Sequence, residues 1–378
     1  MLKNISVRGL FNLYNYEISL NGKNGVPDEN IMFLTGPNGM GKSTILRSVA
    51  SLYKREFIYF MTFPFERLHF CFDACEVELM QHTESEDVEM ESDIPAETKI
   101  YVKCVFTTKG DNAVSETGQW MMIGKNFGTI QGEMPNMEMY FNSERCLYIS
   151  DHRLEDGYDD AFVQPTVLKR FLADTQRLLI EGFAPKRGVD MISNDSKSVR
   201  QKRVLDIFSM LQQCEIDLPM DISDYINGEE MPDFQLQCCE NAISNCGDNV
   251  RILTSFCQFL ESSCFVGKKF RITMQGGLQF YAENEVKSFL KFEQLSLGEQ
   301  NLISQIYTMY FSKIPCKIVI VDEPEQSAHL MWQSQYLSNI KAIQQLRGCS
   351  FLIATHSTEV FDGKFDLTTD LFEQTHLQ

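Results

Sequence analysis

The sequence predicts an α/β fold that carries an antiparallel β subdomain and a helical insertion. Three observations point there. Residues 31–34 (IMFL) form a continuous apolar run of strand length, followed by a glycine-rich turn and a helix from about Lys42 to Tyr53. A run without polar alternation is the pattern of a strand buried on both faces. Two further apolar runs, 317–321 and 350–354, flank a helical stretch over 326–346. Finally, 67–80 and 98–107 read as antiparallel strands, whereas 165–181, 198–213 and about 250–261 read as helices.

The helix after the glycine turn is expected because Ile45, Leu46 and Val49 recur at helical spacing. Residues 2–20 read as two short strands with a turn near 9–15, and 21–30 as a loop rich in Gly, Asn and Asp. The acidic block from Glu84 to Glu97 reads as a solvated hairpin tip or loop. Residues 110–136 are rich in Gly, Asn and Met without a clear period, so irregular structure is expected there. Residues 144–149 read as a strand, 269–274 and 278–282 as a hairpin around Gly276 and Gly277, and a helix is expected after Leu297. No repeat and no long apolar heptad tract is present.

Composition excludes some functions. The chain has 378 residues, enough for two domains or one domain with a large insertion, and 43% of them are hydrophobic. No apolar run approaches the ~20 residues needed to cross a bilayer. The N-terminus alternates instead of showing a signal peptide's apolar block, so a cytoplasmic protein without membrane contact is expected. Twelve cysteines lie scattered through apolar stretches without a CxxC pair, which favours reduced buried thiols over a zinc site. A net charge of −18 argues against a surface that is basic all over, though not against a local basic groove.

Four motifs carry chemistry. Gly36, Pro37, Asn38, Gly39, Met40, Gly41, Lys42 and Ser43 spell GxxxxGKS between the apolar strand and the helix. Such a turn aims successive backbone N–H groups at phosphate oxygens, and the helix N-terminus adds its positive dipole end. Lys42 is placed to bridge the β- and γ-phosphates, the Ser43 hydroxyl to ligate Mg²⁺, and Thr44 to reach the α-phosphate. The run 317–321 ends in Asp322 and Glu323, the first suited to hold Mg²⁺ through water, the second to orient or deprotonate an attacking water. Residues 295–300 read LSLGEQ; alone, this string is a serine N-cap with a nearby glutamate. The fourth motif is Ala354, Thr355, His356 and Ser357 after the last apolar run.

Taken in chain order, 36–43, 295–300, 322–323 and 354–357, the motifs resemble the Walker A, signature, Walker B and histidine-switch elements of ABC-type P-loop ATPases, over about 1–60 and 291–378. The resemblance implies ATP and Mg²⁺ as ligands and a head-to-tail dimer or higher oligomer. Ser296 and Gly298, with Glu299 in the same turn, would close over ATP held by another copy, and His356 would contact the γ-phosphate. It divides the chain into an N-terminal lobe (1–60), an antiparallel β subdomain with an irregular loop (61–150), a helical insertion (151–268) and a C-terminal lobe (269–378). The DEPE-x-S-x-H-x-x-WQ string over 322–333 is similar to RecF-like, SMC-like and OLD-family ATPases, which puts Ser327 and His329 at the dimer seam. Arg153 or Gln164 are candidates for the Q-loop position, and Phe11 or Tyr14 for packing near adenine.

Stand-alone ATPases of this look occur in anti-phage defence systems of the PARIS, Septu and retron-associated kinds. The resemblance therefore suggests a sensor or scaffold that controls a separate effector, a nuclease or toxin. The alternative is a DNA-repair or recombination ATPase that clamps DNA, for which Lys186, Arg187 and the RQKR run at 200–203 are the candidate contacts.

Overall fold

The continuous apolar runs form three strands of a five-stranded parallel sheet in the computed structural model, which describes residues 1–20, 30–85, 98–150, 165–184, 195–262, 268–282, 289–312, 316–326 and 328–375. The strands are β3 (Ile31–Thr35), β9 (Arg145–Ile149), β13 (Cys316–Asp322), β14 (Ser350–Ala354) and β15 (Thr368–Asp370), in the order β15-β3-β14-β13-β9. Alternate residues of these strands serve two different cores. Ile31, Phe33, Val319, Val321, Phe351 and Ile353 face one, and Met32, Leu34, Ile318, Ile320, Leu352 and Ala354 face the other. Each fully buried aliphatic or aromatic side chain of this kind contributes about 1.5–3 kcal/mol.

The first face is covered by α8 (Leu297–Phe311) and α9 (Leu330–Arg347), backed by α3 (Pro165–Gly182), α4 (Lys197–Gln213), α6 (Asp233–Cys246) and α7 (Asp248–Glu261). The second face is covered by α1 (Lys42–Lys54) through Ile45, Leu46 and Val49. That core continues into a seven-stranded antiparallel sheet. Its strands are β1 (Leu2–Leu10), β2 (Tyr14–Ser19), β4 (Arg67–Phe72), β5 (Cys75–Ser85), β6 (Thr98–Thr108), β7 (Ser115–Ile123) and β8 (Asn126–Gln131), in the order β2-β1-β4-β5-β6-β7-β8. The sheet therefore runs across residue 60. A small sheet, β10 (Lys268–Ile272), β11 (Leu278–Ala282) and β12 (Phe289–Lys291), precedes α8.

Several expectations are corrected. Residues 110–136 are not irregular: they hold β7, β8 and the start of a helix, α2 (Pro135–Ser143). The expected strand over 67–80 is two strands, turned at Asp73 and Ala74. The helix expected from 326 starts at Leu330, where the His329 side chain accepts a hydrogen bond from the Met331 N–H. A 14-residue helix, α6, and the strand β15 appear where none was expected. The loop over 21–29 and the acidic segment 86–97 lie outside the described residues. No helix among the described residues is long and apolar enough to cross a membrane.

Candidate active site

All strands of a parallel sheet end on the same edge, and ligands of open α/β sheets bind there. At that edge β3 runs into the glycine turn 36–41, β13 ends at Asp322, and β14 runs into Thr355–Ser357. Because β14 lies between β3 and β13, His356 emerges between the glycine turn and the two carboxylates. β15 adds Asp370 on the other side of β3.

The turn depends on backbone conformations that few side chains tolerate. Gly36, Gly39 and Gly41 have φ of 136°, 84° and 85°. Gly41 is the tightest: a Cβ there would lie 2.6 Å from Leu10 Cδ2 and 3.3 Å from Phe11 Cε2. The β1–β2 turn is therefore pressed against the start of α1, and the Tyr16 hydroxyl donates to the Met40 carbonyl at 2.9 Å. This places Phe11 beside the glycine turn, while Tyr14 stacks on Tyr16 at 5.8 Å.

Lys42 opens α1, is only 5% exposed, and turns its ammonium back over the loop. Its Nζ donates to the Gly36 carbonyl at 2.8 Å and the Pro37 carbonyl at 3.1 Å. Burial holds the ammonium's pKa below its ordinary value, against the opposing influence of the carboxylates of Glu323, Asp322, Glu325 and Asp370. Four acids thus act on one amine whose hydrogen bonds go to backbone carbonyls. Ser43 and Thr44 follow in the first turn of α1; the Thr44 carbonyl accepts from the Ser48 hydroxyl at 2.7 Å.

Asp322 is 3% exposed at the end of β13. The next residue, Glu323, adopts φ 48°, a left-handed conformation that costs a non-glycine residue about 1–3 kcal/mol. Its backbone N–H donates to the Ala354 carbonyl at 2.9 Å, which fixes the turn against β14. The Glu323 carboxylate then lies 3.3 Å from His356 Nε2.

Two further side chains hold the histidine segment. Glu325 accepts the backbone N–H of His356 at 2.6 Å. Gln333, in the first turn of α9, accepts from the Ser357 hydroxyl at 2.6 Å and donates to the Ala328 carbonyl at 3.0 Å.

Ser296 and Gly298 belong to the start of α8. Ser296 caps α8, and its helix covers the sheet face opposite α1. Ser296 and Glu299 form a capping box: Glu299 Oε2 accepts from the Ser296 N–H at 3.0 Å and the Ser296 hydroxyl at 2.9 Å. Burial raises the Glu299 pKa, but an ion pair with Lys268 and the Ser296 hydrogen bonds outweigh it and leave the carboxyl below its usual range. Ser327, Arg153 and Gln164 lie outside the described residues, as do Lys186 and Arg187.

Sequence reasoning gave no role to Glu325, Gln333, Tyr16 or Asp370. Glu325 and Gln333 stand within the DEPE and WQ strings, so a signal was present. Asp370 gave none, because its strand has three polar residues.

No protein-family model matches the chain, and no curated protein matches it. Among solved structures, it is similar to an SMC head bound to the C-terminal winged-helix domain of ScpA, at 13% identity and a TM-score of 0.38, covering 95% of this chain and 90% of that one. It is also similar to the SMC head domain from Thermotoga maritima, at 13% identity and a TM-score of 0.35, covering 96% of this chain and 91% of that one.

Proposed function

We propose that the chain is an ABC-type ATPase of the RecF/SMC/OLD-like branch that hydrolyses ATP with Mg²⁺ at a site completed by a second copy. The observation that carries this reading is the convergence of Lys42, Asp322, Glu323 and His356 at one sheet edge, beside a left-handed glycine turn. The turn's N–H groups and Lys42 suit a triphosphate, since backbone donors at a helix N-terminus and an ammonium both attract phosphate oxygens. Ser43 and Asp322 would hold Mg²⁺, which neutralises phosphate charge when bound. Glu323 is the base that takes a proton from the attacking water, and His356, 3.3 Å from it, orients that carboxylate and the γ-phosphate oxygens.

The second copy is what the motif resemblance implies; the turn with Ser296, Gly298 and Glu299 opens α8, which packs on the sheet face opposite α1. Ser296→Arg and Lys42→Ala chains should each be inactive alone. Mixed, they can form one kind of intact site, from Lys42 of one chain and Ser296 of the other. Restored ATP hydrolysis in the mixture supports sharing; a mixture as inactive as its parts counts against it. The glycine turn makes a separate demand. Gly41→Ala adds a methyl group where Leu10 Cδ2 already stands, at a φ of 85°. It is expected to weaken Mg-ATP binding about five- to thirtyfold, since a left-handed residue costs roughly 1–2 kcal/mol. Titration calorimetry that finds unchanged affinity would reject the cradle.

The motif resemblance extends the proposal to a use: a cytoplasmic sensor or scaffold of an anti-phage defence system, which holds or releases a separate nuclease or toxin as ATP closes the dimer. Co-purification with a partner encoded next to it tests this. The DNA-clamp alternative drew on the basic run at 200–203. Arg200 is paired with Glu240 and Arg203 with Asp195, the latter at 2.7 Å, so these two cations already have acids beside them. Salt-dependent DNA binding that is lost on charge reversal at Lys202 would favour the clamp.

A further inference from the structure

Gln333 stands at the junction of two segments with different surroundings. On one side, the backbone of 328–331 precedes and opens α9, and Leu330 is 66% exposed and Met331 46% exposed. On the other side, Ser357 follows the histidine whose ring meets Glu323. Gln333 itself is 8% exposed, and both ends of its amide are used: the nitrogen on the Ala328 carbonyl, the oxygen on the Ser357 hydroxyl. A buried amide with both functions satisfied has one orientation, so a displacement of the 328–331 backbone cannot leave Ser357 unaffected. Glu325 makes a parallel tie one residue earlier, through the His356 N–H. The histidine segment is therefore held from both flanks by residues of the stretch that follows the β13 carboxylates.

We infer that Gln333 is a positioning residue for hydrolysis, transmitting contact at the exposed 328–331 segment to His356 through Ser357. The inference rests on the ATPase reading above. The contact it transmits is that of a second copy of this chain, because the exposed leucine and methionine adjoin the segment the dimer reading places at the seam. Gln333 acts through Ser357, and its effect is on the orientation of the imidazole beside Glu323.

The test compares steady-state hydrolysis by the natural chain, Gln333→Ala, Ser357→Ala and the double variant. Ser357→Ala removes the same hydrogen bond by deleting one half-buried oxygen, and so remains informative if Gln333→Ala folds poorly. Each single variant is expected to lower kcat about five- to tenfold, the effect of one lost hydrogen bond, with the KM for ATP within twofold. The double variant should be no slower than the slower single one, because both remove the same link. Losses that multiply, or a change confined to KM, overturn the link. If the natural chain hydrolyses ATP and both single variants match it, the positioning role fails while the ATPase reading stands. If the natural chain, with Mg-ATP bound, shows no hydrolysis at any concentration, both fail together.

Discussion

Glu323→Gln chains are expected to bind Mg-ATP at least as tightly as the natural chain and to hydrolyse it at least about 100-fold more slowly, the usual effect of losing a general base. The substitution keeps the side chain's length and shape, so the left-handed turn at residue 323 and its N–H to the Ala354 carbonyl are undisturbed. What disappears is the basicity and one of the four negative charges around Lys42. Removing an acid next to a phosphate site lowers repulsion, so affinity should hold or rise while turnover stops. If the site is shared, ATP without hydrolysis should also hold two chains together, and light scattering with Mg-ATP should show a dimer that persists. A Glu323→Gln variant that turns over at the natural rate removes Glu323 from the reaction, whatever its place in the fold.

Lys42→Ala has the largest expected effect on binding. Its ammonium is influenced by the carboxylates of Glu323, Asp322, Glu325 and Asp370. Deletion leaves those acids without it, so an incoming triphosphate loses an attraction and meets more repulsion. A charge-assisted hydrogen bond contributes about 1.5–3 kcal/mol, so affinity should fall by roughly 10- to 100-fold from that loss alone, and further from the repulsion. Fluorescent-nucleotide titration reads it directly. The same titration on a chain that keeps natural affinity without Lys42 would separate the glycine turn from any phosphate.

The elements that frame the site were legible because of where they are buried. β3, β13 and β14 face apolar cores on both sides, so their sequences carry no polar alternation, and each runs into a motif whose chemistry is recognisable. Ser296 was legible as a cap and is one, with Glu299 closing the box. What escaped did so for physical reasons. All six residues of β8 are exposed, so its strand carries no apolar face to read. α6 buries Leu236, Cys239, Ala242 and Cys246, but cysteine and alanine among Asn, Gln and Ser make a faint stripe. β15 is Thr-Thr-Asp, held at the sheet edge by pairing with β3. The ties from Glu325 and Gln333 to the histidine segment are contacts across about thirty and twenty-four residues, which no local pattern encodes.

The two-sided parallel sheet has a consequence for dosage. If catalysis needs one face from each of two molecules, an isolated molecule carries every group yet no working centre. In the dilute limit, halving abundance then cuts assembled centres about fourfold, so output answers to the square of expression. Such a protein is quiet when scarce and abrupt in onset as it accumulates, a threshold set by geometry alone.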